Sequence, residues 1–139
     1  MKKEGPVEFL KRIFGICETK SPLDKNCWRY ADGKVQVQLS GARELDEKGA
    51  AIRLEGGGLP TRLLVIHGTD GEYHAFANKC THFGRRLDPM PGQPLVRCCS
   101  VNKSTFQYDG SKVTGPAKNA IQSYPVEKRE GALLITVGH

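Results

Sequence analysis

The sequence predicts an all-β fold, an antiparallel sandwich or small barrel preceded by one short helix. Two observations lead to this prediction: apolar and polar residues alternate in many short runs, and turns containing Gly and Asp separate those runs. With 139 residues, 38% of them hydrophobic and 26% charged, the chain is long enough for one core and does not have a disordered composition.

The helix is predicted over residues 6–17, near the N-terminus. Its apolar residues recur at helical spacing: Val7, Leu10, Ile13, Phe14 and Cys17. Pro6 suits the first turn of a helix. We expect residues 1–27, this helix and a linker, to pack against a domain that residues 28–139 form.

The strand signals begin after a turn at Asp32 and Gly33, where Val35, Val37 and Leu39 alternate with polar residues. Further strand-like runs occupy residues 51–54, 62–67, 72–77, 95–99, 105–108, 123–127 and 132–137. Between two of these runs lies a segment, residues 78–94, that is rich in Gly, Pro and Arg and too long for a hairpin turn. Long ordered loops in compact domains often carry function, so this segment is the first place to look for a site.

The charge is +6, with 21 Lys and Arg against 15 Asp and Glu, but the basic residues are scattered and not interleaved with aromatic ones. This distribution argues against a nucleic-acid partner and is compatible with steering towards an acidic protein partner. No apolar run has the length of a signal peptide or of a membrane span, so we expect a cytoplasmic protein without a membrane partner.

Five cysteines are present: Cys17, Cys27, Cys80, Cys98 and Cys99. In a reducing compartment we expect thiols or metal ligands and not structural disulfides. Cys17 and Cys27 lack the spacing of a zinc site and are expected to be two partly buried thiols.

The remaining cysteines form a pattern with a histidine. Cys80 and His82 are one residue apart, and Cys99 follows after sixteen intervening residues. This pattern resembles the Rieske family, whose 2Fe-2S cluster is held by a Cys-x-His loop and a Cys-x-x-His loop at about the same separation. The resemblance extends to Tyr73–Asn78 before the first loop, Ser104 and Phe106 after the second, and Gly115-Pro116-Ala117 beyond them.

The resemblance implies that Cys80 and Cys99 hold one iron as thiolates and that His82 holds the other as an imidazole. Where the family has its second histidine, this chain has Asn102, whose amide oxygen is a weak iron ligand. We choose Cys99 over Cys98 because it keeps the family spacing to Ser104. Since adjacent strand residues point to opposite faces, we expect Cys98 in the core.

Two functions stay open from the residues. In the first, the chain is a 2Fe-2S electron-transfer protein or subunit, not an enzyme alone, which works with a redox protein partner through Cys80, His82, Cys99, Asn102 and Ser104. In the second, it is a cluster-free accessory or interaction subunit, similar to the small subunits of nitrite reductases. A cysteine hydrolase is a weaker third reading, because nothing supplies an oxyanion hole. Arg85 and Arg86 are either a docking patch or a solvated loop tip.

Overall fold

The computed structural model describes residues 17–81, 84–99, 104–115, 117 and 119–138. The predicted N-terminal helix lies outside these residues except for its last member, Cys17. In the described part, twelve strands follow one another: β1 (Trp28–Ala31), β2 (Lys34–Gln38), β3 (Ala51–Leu54), β4 (Leu63–His67), β5 (Tyr73–Ala77), β6 (Leu87–Pro89), β7 (Leu95–Cys98), β8 (Thr105–Gln107), β9 (Lys112–Thr114), β10 (Ser123–Tyr124), β11 (Val126–Arg129) and β12 (Ala132–Thr136). A single 3₁₀ turn, Arg43–Leu45, lies between β2 and β3.

The strands form three four-stranded antiparallel sheets. The first has the order β1-β2-β12-β11, the second β10-β5-β4-β3, and the third β6-β7-β8-β9. The predicted all-β antiparallel fold is therefore confirmed. Over the residues that the structure describes, no helix has the length and apolar character needed to cross a membrane.

Strand β4 connects two hydrophobic cores because both of its faces are buried. Leu63 and Val65 belong to the core shared with the first sheet, whereas Leu64 and Ile66 belong to the core shared with the third sheet. Complete burial of a side chain of this size contributes about 1.5–3 kcal/mol. The second sheet thus provides the surface on which the third sheet, with its long loops, is built.

The two hairpins of the first sheet have two-residue turns in which both residues adopt a positive φ. Asp32 and Gly33 both have positive φ, 51° and 77°, between β1 and β2, and Glu130 and Gly131 have 46° and 79° between β11 and β12. Two-residue turns with positive φ at both positions match the twist of antiparallel strands. The Asp-Gly signal in the sequence therefore predicts the β1–β2 hairpin correctly.

Candidate metal centre

The first loop of the candidate site begins at Cys80, just after β5. Cys80 is 1% exposed and packs in the core between the second and third sheets. Its backbone N–H donates to the Arg85 carbonyl (2.7 Å), and its carbonyl accepts from Gly84 N–H (2.8 Å). These bonds join Cys80 to Gly84 and Arg85. His82 is outside the described residues.

The second loop begins at Cys99, directly after β7. Cys99 is 3% exposed, and its N–H donates to the Arg86 carbonyl at 3.0 Å. The backbone N–H groups of Cys80 and Cys99 therefore bind the carbonyls of two successive residues, Arg85 and Arg86. The structure brings the starts of the two predicted loops to the same short segment. Asn102, further along the second loop, is outside the described residues.

Ser104 ends the second loop and is held by a third segment. It is 1% exposed, its Oγ accepts from Ala117 N–H (3.0 Å), and its carbonyl accepts from Cys98 N–H (2.8 Å). Gly115 has φ +97°, and a Cβ at this position would overlap the Ser104 backbone. The stretch that carries Gly115 and Ala117 consequently packs directly on Ser104, which explains why a glycine is needed there.

Two residues that the sequence analysis did not single out support the first loop. Asn78 is 1% exposed and accepts the Leu87 N–H on its Oδ1 at 2.7 Å. The guanidinium of Arg62 donates to the carbonyls of Asn78 (3.0 Å) and Gly84 (2.7 Å). The Nδ2 of Asn78 is buried and finds no acceptor among the described residues. Asn78 ends the Tyr73–Asn78 stretch that resembles the family, but nothing in the sequence marks the supporting role of Asn78 or Arg62, because their side chains bind backbone groups.

Cys17 and Cys99 form a disulfide, with their Cα atoms 5.3 Å apart. The expectation that the cysteines form no disulfide is therefore wrong for this pair. The physical reason lies on β6, where both carboxylate oxygens of Asp88 accept backbone N–H groups, from Glu18 (2.7 Å) and Thr19 (2.9 Å). Asp88 thereby fixes the segment that carries Cys17 beside the second loop.

The other three cysteines are buried and lie outside the disulfide. Cys98 packs in the same core as Cys80, as the alternation along the strand predicts. Cys27 belongs to the core of the first sheet and is a buried thiol. Burial raises the pKa of the Cys27 thiol, and the charges of Asp24 and Glu44 act in the same direction.

Arg86 is bound to a carboxylate. Its Nε and one terminal nitrogen lie 2.8 and 2.6 Å from Oε1 of Glu55, and its side chain is 36% exposed. Such a pair at the edge of the site orients the Arg86 side chain, so Arg86 is not a freely solvated loop tip.

The two histidines on earlier strands have partners of their own. His67 Nδ1 lies 2.8 Å from the Leu45 carbonyl, and His74 Nε2 lies 2.9 Å from the Asp70 carboxylate. Both are held in local contacts, as expected for histidines on strands.

The donor set fits a thiolate-bound iron-sulfur centre in one redox state of the protein. A thiolate is the metal ligand, and a sulfur in a disulfide has no thiolate charge. The side-chain donors of Cys17, Asp88 and Cys99 lie within 4.8 Å of one another. Reduction of the Cys17–Cys99 bond would let the two loops offer the thiolates of Cys80 and Cys99. With the bond formed, Cys99 is not available as a ligand.

Comparison with known families identifies the domain type. The family model described as Rieske [2Fe-2S] domain matches residues 34–125, more than half of the chain. These residues include the second and third sheets, strand β2 of the first sheet and both candidate loops.

Individual relatives agree with this match. The chain is 37% identical over 68 residues to the glycine betaine monooxygenase oxygenase subunit of Pseudomonas aeruginosa, a match that covers 48% of this chain and 15% of that protein. A structure of the complex of reduced oxygenase and oxidized ferredoxin in carbazole 1,9a-dioxygenase is similar at a TM-score of 0.63 and 16% identity, covering 78% of this chain and 96% of that one. The ferredoxin of carbazole 1,9a-dioxygenase from Nocardioides aromaticivorans IC177 has a TM-score of 0.56 at 16% identity, covering 67% and 91%.

Proposed function

Because this chain belongs to the Rieske [2Fe-2S] domain family, we propose that it transfers single electrons, as a carrier or as a subunit of a larger redox enzyme. The observation that best supports the proposal is the convergence of the two cysteine loops, whose first N–H groups bind the successive carbonyls of Arg85 and Arg86. A domain of this kind supplies a path for electrons and performs no bond chemistry by itself.

In the reduced protein, Cys80 and Cys99 are the thiolate ligands, His82 is the imidazole ligand, and Asn102 or an exogenous group completes the set. The bound cluster supplies a one-electron acceptor. The chain contributes burial at both cysteines, which excludes water, and the Ser104 hydroxyl, which we assign as a donor to a sulfur of the centre. Such hydrogen bonds stabilise the extra negative charge of the reduced state.

The proposed partner is another redox protein. In support, one similar structure is a complex between an oxygenase and a ferredoxin. The net charge of +6 suits a partner with an acidic surface, because opposite charges raise the rate of encounter. A cytoplasmic location belongs to the same proposal and agrees with the three cysteines that form no disulfide, Cys27, Cys80 and Cys98.

A cluster-free accessory subunit is the second candidate. Two observations favour it: Cys99 is bonded to Cys17, and Asn102 stands where the family has a histidine. In this reading the domain retains its packing and acts through its surface alone.

The deciding experiment is the iron and sulfide content, with visible and electron paramagnetic resonance spectra, of protein purified without oxygen in the presence of a dithiol. Electron transfer requires a coloured protein with iron and sulfide in equal amounts. Cys80→Ser and Cys99→Ser should each abolish the bound iron, whereas Cys98→Ser, the matched control from the core, should retain most of it. Iron-free wild-type protein would reject the electron-transfer function.

Asn102→His tests the fourth ligand position of the proposed centre. A histidine there should increase iron occupancy and bring the spectra closer to those of centres with two imidazoles, because imidazole is the better iron ligand. No gain in the reduced protein would contradict the assignment of Asn102 to the ligand set.

A further inference from the structure

Hydrogen bonds to a buried carboxylate hold the segment that begins at Cys17 beside the candidate site. Asp88 is 7% exposed and receives two backbone N–H bonds from Glu18 and Thr19, which are 70 and 69 residues distant in sequence. Asp88 lies on β6, whose neighbour β7 leads directly into Cys99. This contact therefore places the Cys17 sulfur beside Cys99.

From this arrangement we infer that the Cys17–Cys99 disulfide is a reversible redox lock on the second-loop thiolate. The inference rests on the proposed function and adds a regulatory site to it. A cysteine in a disulfide cannot ligate iron, so the oxidised pair excludes metal from the second loop, and reduction restores the ligand. Disulfides that form in reducing compartments are usually transient or regulatory, in agreement with this role.

The unlocking step is thiol–disulfide exchange with a small-molecule thiol. The thiolate of that molecule attacks the Cys17 sulfur, the S–S bond breaks, and Cys99 leaves as a thiolate. A second thiol then attacks the mixed disulfide on Cys17, giving a Cys17 thiol and a small-molecule disulfide. In total two electrons and two protons pass from two thiols to the protein, and the reverse reaction relocks the site.

The direction of attack follows from exposure. Cys17 is partly exposed, whereas Cys99 is buried at 3% exposure. Attack at the accessible sulfur releases the buried one, which is the proposed ligand. The Cys99 backbone bond to the Arg86 carbonyl does not involve either sulfur, so it can hold the released thiolate in place.

The test begins with a count of thiols on the full chain. Oxidised wild-type protein should show three thiols outside the disulfide, at Cys27, Cys80 and Cys98, and reduction should expose two more. Cys17→Ser should show the same count before and after reduction. Cys27→Ser is the matched control, because it removes a buried thiol that has no disulfide partner and should keep the two-thiol change. An unchanged count in wild-type protein would overturn the lock.

Metal access is then measured with Co²⁺, which reports thiolate ligation by absorption and does not reduce disulfides. Reduced wild-type protein should bind Co²⁺ and oxidised wild-type protein should not, whereas Cys17→Ser should bind it after either treatment. Equal binding by oxidised and reduced wild-type protein would overturn the inference. Loss of binding in reduced Cys17→Ser, with Cys27→Ser unaffected, would also overturn it, because Cys17 would then be a ligand itself.

Asp88 is the positioning residue, and its variant gives an independent readout. In a glutathione redox buffer, Asp88→Asn should shift the ratio of disulfide to dithiol roughly tenfold towards the dithiol, because one of two charge-assisted bonds is lost. Asp46→Asn, an exposed carboxylate beside the 3₁₀ turn, should leave that ratio unchanged. Iron and sulfide uptake by reduced Cys17→Ser tests the proposed function separately, so the lock and the function fail on different measurements.

Discussion

Replacing Cys17 by serine removes a cross-link that closes a large part of the chain. The sequence separation between Cys17 and Cys99 is 82 residues. In the chain-entropy description, a cross-link over a loop of this length stabilises the folded state by about 4.5 kcal/mol, because the unfolded chain loses freedom. We therefore expect oxidised wild-type protein to exceed both reduced wild-type protein and Cys17→Ser by about this amount in free energy of unfolding.

Urea denaturation of oxidised and reduced protein measures this difference directly. For a small domain, 4.5 kcal/mol corresponds to a midpoint shift of about 2 M urea. The difference between the two redox states should disappear in Cys17→Ser. The difference should persist in Cys27→Ser, because the loss of packing at Cys27 lowers the free energy of unfolding of the oxidised and the reduced protein equally.

Two outcomes would refute the reasoning. If oxidised and reduced wild-type protein unfold at the same urea concentration, the disulfide does not constrain the unfolded chain. If Cys17→Ser keeps the difference between redox states, the cross-link involves another cysteine.

Three further changes test the packing around the site. Gly115→Ala should lower the free energy of unfolding by at least about 2 kcal/mol, because of its positive φ and its overlap with Ser104; Gly92→Ala, with φ +70° and open space, should cost less, and urea denaturation compares the two. Asp88→Asn should cost about 1.5–3 kcal/mol in oxidised protein, in which the disulfide holds Glu18 and Thr19 beside Asp88, because an amide N–H then faces a backbone N–H, and unchanged stability would contradict that contact. Cys27 should be alkylated far more slowly in folded than in urea-unfolded protein, because burial and then two nearby carboxylates raise the pKa of its thiol; mass spectrometry follows the rate, and equal rates would count against the burial.

Alternation predicts the strands that have one buried and one exposed face. β3 occupies the four residues, Ala51–Leu54, over which the pattern predicts it. The pattern does not predict β6, Leu87–Pro89, or β9, Lys112–Thr114, which are three residues long. β6 ends in a proline and β9 is exposed throughout, so neither shows an alternation of buried and exposed residues. Both exist because a neighbouring strand pairs with them, β7 with β6 and β8 with β9.

The candidate site, like the fold, is predictable from the sequence only in part. The spacing of Cys80 and Cys99 predicts two loops, and the structure brings the starts of these loops together at one short segment. The bond from Cys17 to Cys99 is not predictable from spacing, because it depends on Asp88 accepting two backbone N–H groups from residues 70 and 69 positions earlier in the sequence. A backbone donor has no signature in the sequence.

Asn102 and Cys17 act on the proposed centre through different ligands and with different strength. An asparagine in place of a histidine leaves a weak neutral ligand where a stronger neutral one is usual. A disulfide at Cys99 removes an anionic ligand altogether, and with it much of the attraction for a positively charged iron. Asn102 is fixed by the sequence, whereas the disulfide depends on the redox state of the surroundings. Under the proposed lock, the state of the Cys17–Cys99 pair decides first whether metal enters, and the identity of residue 102 affects the centre only after that bond is reduced.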